Sequence, residues 1–406
     1  VLAAYPDRVE RLRVQDLPHR GLTHWLRERL PKASPGAPRA PLVVVLLSYD
    51  AGRNLERLPA VAREDPPLPD VIVARYPAFL EGSSAEGPWR VVASDEAVGR
   101  DFARLFEVPA EDTEPAGPPP RAPARPRSSM SRERHAEAVE GVVHAISWGD
   151  LYQANIARRL ETRLPAHDVP RFYGLLRRDN PAAFGALWAF DHDRWLASSS
   201  PECLLTFDPA TRSLHSFPIK GTRPRGATAD DDDALRRALL ADPKERAEHV
   251  MIVDLVRNDL GRVAATGSVA VERLFDALPL PTVHHLVSDV RATLDERLDL
   301  ADALAALFPG GSITGAPKIA AMAMIEEVEI LRRGFYTGSL GLVFGDGEAV
   351  FNILIRTAVS VEGRLLYATG GGIVADSDPE GEWRETEAKA YAFVRALDAL
   401  GSPRRD

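Results

Sequence analysis

From Pro109 to Arg134 the chain reads PAEDTEPAGPPPRAPARPRSSMSRER, and no apolar period runs through it. A stretch so rich in proline, alanine and charge cannot bury enough surface to offset the entropy of ordering it. It reads as a mobile connector, with a proline-rich docking motif as the alternative. It divides the chain into residues 1–108, a small α/β subdomain, and residues 135–406, a long patterned core. In the first region PLVVVLLSYD (41–50), DVIVARYPAFL (70–80) and WRVVASDE (89–96) have the apolar, β-branched composition of strands. In the second, Val139, Val142, Val143 and Ile146 share one helix face, and the pattern breaks at Gly149–Asp150 and resumes as a strand. Residues 181–207 read as paired strands. A helix is predicted from Pro243 to near Gly261, another over 314–331 with Thr314 as its cap, and a last one over 380–400. YTGSLGLVFG, AVFNILIRTAVSV and RLLYATGGGIV read as antiparallel strands between glycine-containing turns. Strand blocks followed by helices, with no regular βαβ repeat, point to an α+β fold.

Charge and cysteine usage narrow the function. With 50 Lys plus Arg against 59 Asp plus Glu, the net charge is −9. No global positive field attracts phosphates, so nucleic acid is not the expected main partner, although a local anion site remains open. No apolar run is long enough to span a bilayer, and VLAAYPDRVE lacks the pattern of a secretory signal. The chain does not begin with methionine, so a start further upstream is expected. The single cysteine, Cys203, excludes an intrachain disulfide and a thiolate zinc cage, which suits a reducing cytoplasm. Cys203 also lacks the Gly-x-Cys-x-Gly setting of an amidotransferase nucleophile, so glutamine hydrolysis by this chain is not expected.

Several groupings carry chemistry. Glu245 and Glu248 are three apart on one predicted helix, and Glu382 and Glu385 on another, with Lys389 four further on. Each pair shares a helix face. Two such faces brought together make an all-oxygen site suited to Mg²⁺; each pair alone is equally an ordinary solvated face. FPGGSITGAPK (308–318) could aim N–H groups at an anion or form a tight connection. The run Asp230–Asp233 reads as a solvated helix start. His284 and His285 read as packed groups or as ligands. FPIKGTRPRG (217–226) crowds Lys220 against Arg223 and Arg225, a cost that something at the site must offset or use.

PIKGTRPRG, AEHVMIVDLVRNDLGRV, HLVSDV, SITGAPK, YTGSLG and EGEWRETEAKA, in this order, closely resemble the chorismate-utilising enzymes. The resemblance runs from about residue 130 to the end, and LLSYDAGRNLERLP resembles the early region of the amidotransferase-dependent members. It implies an α/β/β/α sandwich of two antiparallel sheets with the active site between them. It implies Glu248 and Glu385 as Mg²⁺ ligands, with Glu245 and Glu382 ligating the ion or holding its waters. Lys389 and the backbone of Gly370 and Gly372 match groups around the ring carboxylate of chorismate. Tyr336 and Arg356 match groups holding the enolpyruvyl carboxylate, and His285 and Ser312 match further pocket positions. Anthranilate-forming members usually have alanine where this chain has Lys220; aminodeoxychorismate-forming members typically read PIKGT. The resemblance thus makes Lys220 a nucleophile at ring C2 and Glu202 the acid that protonates the departing C4 hydroxyl. Ammonia, from a separate glutamine amidotransferase subunit, then attacks C4. Members that add water use a lysine where this chain has Gln153. Anthranilate formation is the alternative activity, and a chorismate-binding protein without catalysis is a third reading. A reactive lysine must be neutral, and burial, Mg²⁺ and the neighbouring arginines are expected to favour that form.

Overall fold

The computed structural model describes residues 1–32, 36–83, 87–107, 123–280 and 283–401. Two sheets form its centre: among the described residues, one has ten strands and one has seven, and a further three-stranded sheet lies beside them. Every ladder between these strands is antiparallel. The strand Leu42–Leu47 shows why the layers stack. Its Val43, Val45 and Leu47 belong to one buried cluster with Val253, Val256 and Leu260 of helix Pro243–Gly261 and Leu304 and Leu307 of helix Leu300–Leu307. Leu42, Val44 and Leu46 turn the other way and belong to a second cluster with Phe190, Leu196, Val359 and Leu366 of the seven-stranded sheet. Period-two alternation of an all-apolar run thus buries both faces of one sheet. The far face of the seven-stranded sheet is covered by helices Val169–Asp179 and Pro379–Leu400, where Tyr367 stacks on Phe393 at 4.3 Å. Helix, sheet, sheet and helix follow in that order, the α+β sandwich expected.

The first 108 residues do not keep their sheet to themselves. Strands Arg8–Leu12, Leu42–Leu47 and Val71–Tyr76 extend the ten-stranded sheet, Leu42–Leu47 pairing directly with Ser339–Phe344. The boundary at 109–134 therefore divides the chain without dividing the sheet. Residues 109–122 lie outside the described residues. The expected connector is shorter than 109–134 at its other end: Arg127–Ser128 pairs with Glu161 and Leu160, Met130 is buried, and helix Arg132–Trp148 begins under a Ser131 cap. The serines of RSSMS supply side-chain hydrogen bonds at Met130 and Arg134, which local composition does not reveal.

Other expectations are corrected by backbone chemistry. The run 70–80 is two strands in two sheets, Val71–Tyr76 and Ala78–Gly82, interrupted at Pro77, which has no N–H for a ladder. Residues 181–207 divide likewise: Phe184–Asp191 pairs with Arg194–Ser200, but Cys203–Asp208 belongs to the other sheet. The third helix starts at Lys318, not at Thr314, because the residue before a proline resists helical geometry and Pro317 is itself the cap. Thr314 instead donates to the carbonyls of Gly310 and Gly311. Gly315 and Ala316 pair with Ala154 and Gln153.

Candidate active site

The chain crosses between the two large sheets at Pro201–Glu202, and again at 353–356 between strands Ala349–Asn352 and Thr357–Val361. The crossings are bonded to each other: Ile353 N donates to Glu202 O at 3.0 Å, and Ser200 Oγ to Ile353 O at 2.6 Å. Each carries an expected site residue. Glu202 is buried, and Ser312 Oγ donates to its Oε1 at 2.6 Å. Burial pushes the Glu202 carboxyl up to about 7, although the Ser312 hydrogen bond and the charges of Lys220, Lys389 and Arg356 all favour its ionised form. Arg356 holds a left-handed backbone (φ 50°) at the second crossing, and its Nη1 donates to Asn180 Oδ1 at 3.3 Å. Burial lowers the His285 imidazole to about 4, with help from the charge of Arg356, and the Nδ1 of that ring faces Thr222 Oγ1 at 3.0 Å. Ser312 thus touches Glu202, and the charge of Arg356 at the second crossing reaches both Glu202 and His285.

Lys220 lies on the edge strand Ile219–Pro224. A side chain at Gly372 would place its Cβ 3.1 Å from Lys220 Nζ and 2.9 Å from Gln153 Nε2, so the bare glycine is what lets the amine approach the seven-stranded sheet. The arginines do not crowd Lys220, contrary to expectation. Gly221 (φ 73°) forms a bulge that shifts the register between Lys220 and Thr222. Lys220 then faces Glu248 Oε2 at 3.6 Å, while Arg223 meets Glu245 at 3.2 Å and Asp242 at 2.8 Å. Arg225 is drawn off to Asp232 at 2.7 Å. Glu248 thus answers Lys220, Glu245 and Asp242 answer Arg223, and Asp232 of another helix answers Arg225, so each cation has its own carboxylate.

The N-terminal turn of helix Pro243–Gly261 reaches the loop that leads into helix Pro379–Leu400, where Lys244 Nζ donates to Asp376 Oδ2 at 2.9 Å. Lys389 Nζ bridges Glu385 Oε1 at 2.6 Å and Gly370 O at 2.8 Å. Ser377 Oγ donates to Glu382 Oε1 at 2.6 Å, but Glu382 Oε2 is buried without a partner. That orphaned oxygen lies 2.7 Å from where a Cβ at Gly371 would stand, and Glu385 Oε1 lies 3.5 Å from it. Strand alternation explains the division: Gly371 opens space for the acids of helix Pro379–Leu400, Gly372 for Lys220. Among the described residues no three His, Cys, Asp or Glu side chains converge as a ready cage. An unpartnered buried carboxylate oxygen within an all-oxygen donor set nevertheless fits a hard divalent cation.

A cavity touching Glu202 and Ser312 runs beside Cys203, Pro218 and Gly311. A second one lies between Ser48, Asp70, Arg332 and Tyr336; of the expected site residues only buried Tyr336 lines it. Burial pushes the Cys203 thiol up to about 12, so it is no nucleophile. Gln153 was noted in the sequence only as a departure; here it is fully buried, and neither side-chain polar atom has a partner. The Glu329–Arg333 ion pair had no signal at all, because Glu and Arg four apart are ordinary on any helix end.

The sequence pattern of the chorismate binding enzymes matches residues 7–395. The chain belongs to the chorismate binding enzyme family. Among relatives of this chorismate binding enzyme, anthranilate synthase component 1 1 of Haloarcula marismortui is 42% identical, covering 94% of this chain and 81% of the relative. Aminodeoxychorismate synthase component 1 of Klebsiella aerogenes is 39% identical, covering 94% and 82%. The crystal structure of anthranilate synthase component I from Streptococcus pneumoniae superposes with a TM-score of 0.83 at 26% identity, covering 97% of this chain and 91% of that one.

Proposed function

We propose that this chorismate binding enzyme is component I of an aminodeoxychorismate synthase. It converts chorismate and ammonia to 4-amino-4-deoxychorismate, and a separate glutamine amidotransferase subunit in the cytoplasm supplies the ammonia. The observation that carries the reading is the Lys220 amine beside Gly372, whose charge reaches a buried Glu202 with a carboxyl near 7. Glu248 and Glu385, with Glu245 and Glu382 beside them, would hold Mg²⁺, which when bound supplies positive charge for the ring carboxylate. Lys389 and the Gly370 and Gly372 backbone border the same carboxylate. Arg356 and Tyr336 hold the enolpyruvyl carboxylate, and His285, neutral above about pH 4, borders the ring.

In its unprotonated form the Lys220 amine forms a bond to ring C2 as the double bonds shift and the C4–O bond breaks. Glu202, protonated below about pH 7, gives its proton to the departing hydroxyl, which leaves as water. Ammonia bonds to C4, the C2–N bond breaks, and Lys220 leaves as a free amine. The new ammonium at C4 returns one proton to Glu202, which restores the acid. Gln153 in place of a lysine supports ammonia over water as the second nucleophile.

Anthranilate synthase component I is the second reading, favoured by a relative of that name at 42% identity against 39% for the aminodeoxychorismate synthase component. Incubation with chorismate, Mg²⁺ and ammonium separates the two. The first predicts a non-fluorescent product that keeps its enolpyruvyl group; fluorescent anthranilate with released pyruvate would replace it by the second.

A further inference from the structure

Taking two charges out of water is costly, and such pairs persist where extra hydrogen bonds complete them. Glu329 ends helix Lys318–Val328, and Arg333 follows four residues later. Arg333 Nε lies 3.0 Å from Glu329 Oε2, Nη2 lies 2.6 Å from Oε1, and both side chains are buried. Burial would lower the guanidinium's value, but the charge and hydrogen bonds of Glu329 outweigh it and hold Arg333 above its ordinary range.

The remaining bonds of the pair reach the segments that carry the site. Arg333 Nη1 donates to Ile313 O at 2.9 Å, next to Ser312, and to Thr337 Oγ1 at 3.3 Å, next to Tyr336. Nη2 donates to Asn155 O at 2.6 Å, two residues from Gln153, and Ala157 N donates to Glu329 Oε1 at 2.9 Å. Tyr336 N also donates to Arg333 O at 3.1 Å. A planar fork with donors on several edges can hold carbonyls from two segments and a carboxylate at once; an ammonium on a flexible stem cannot fix them in the same plane.

We propose that Arg333, fixed by Glu329, is a positioning residue for the acid Glu202. It holds the Gly311–Ile313 turn by the Ile313 carbonyl, so that Ser312 Oγ stays on Glu202 Oε1, and it seats Tyr336 from the same centre. The inference rests on the reading of Glu202 as the catalytic acid and holds for either product.

Arg333→Lys keeps the positive charge against Glu329 and removes the fork. The test is ammonium-dependent turnover of chorismate from about pH 5 to 9, together with thermal unfolding. The expected variant is folded, has a KM within about threefold of the parent, and loses about 30-fold in kcat. In the parent, kcat falls as pH rises through about 7, where Glu202 loses its proton. Ser312 favours the carboxylate, so once its bond is loosened that fall moves to higher pH. Ser312→Ala is expected to move it in the same direction. If Arg333→Lys does not fold, Glu329→Gln, which leaves the guanidinium in place with a weaker hold, must show the same shift on a smaller scale. A folded variant with parental kcat, or with an unmoved pH profile, overturns the inference. A parent with no fall near pH 7, or an undiminished Glu202→Gln enzyme, overturns the reading of Glu202 beneath it.

Discussion

Glu202 is protonated in the folded chain up to about pH 7, because burial penalises its charge. In the unfolded chain the same carboxyl ionises in the ordinary range near 4.5. The unfolded state therefore sheds this proton first, and the parent loses stability as pH rises between those two limits. Glu202→Gln removes the dependence. Thermal unfolding should show it gaining up to about 3 kcal/mol over the parent at pH 8 and nothing at pH 4, while turnover falls by about 100-fold or more. Equal pH dependence of stability in the two proteins would contradict the burial argument. Lys220→Ala should lower ammonium-dependent turnover by about 1000-fold or more, with thermal unfolding close to the parent's. Full activity in that variant would remove the nucleophile. These residues were legible in the sequence as types in an order. The partners of Lys220 were not, because a one-residue bulge at Gly221 decides which carboxylate each cation meets, and a bulge leaves no mark in composition.

The glycines of strand Arg364–Ile373 separate packing from ligand space within one element. A Cβ at Gly370 would stand 2.5 Å from the carbonyl of Ile156, which is backbone and cannot swing away. Gly370→Ala should therefore cost about 1–3 kcal/mol in chemical denaturation. At Gly371 the obstruction is the end of the Glu382 side chain at 2.7 Å, which can rotate. Gly371→Ala should unfold like the parent but weaken Mg²⁺ binding in calorimetry by about 10-fold. Unchanged binding would remove Glu382 and Glu385 from the metal site. The strands around these positions were readable from apolar runs, and the helices Pro243–Gly261 and Pro379–Leu400 were expected within a residue of where they form, the first from its leading proline. The sheet crossings at 201–202 and 353–356 were not, since AVFNILIRTAVSV is continuous in hydrophobicity and changes sheets only because of long-range pairing.

In the whole molecule, three strands from the first 108 residues complete the sheet that carries Lys220 and His285, at the end away from those two residues. Cys203 is buried with its thiol held near 12, which leaves the chain without a thiolate for glutamine hydrolysis. The isolated chain should use ammonium and not glutamine; glutaminase activity in the purified chain would contradict this. The proposed amination at C4 through Lys220 is decided by chromatographic and mass identification of the product from chorismate, Mg²⁺ and ammonium. The expected product is 4-amino-4-deoxychorismate with no pyruvate released; anthranilate with stoichiometric pyruvate would overturn the proposal.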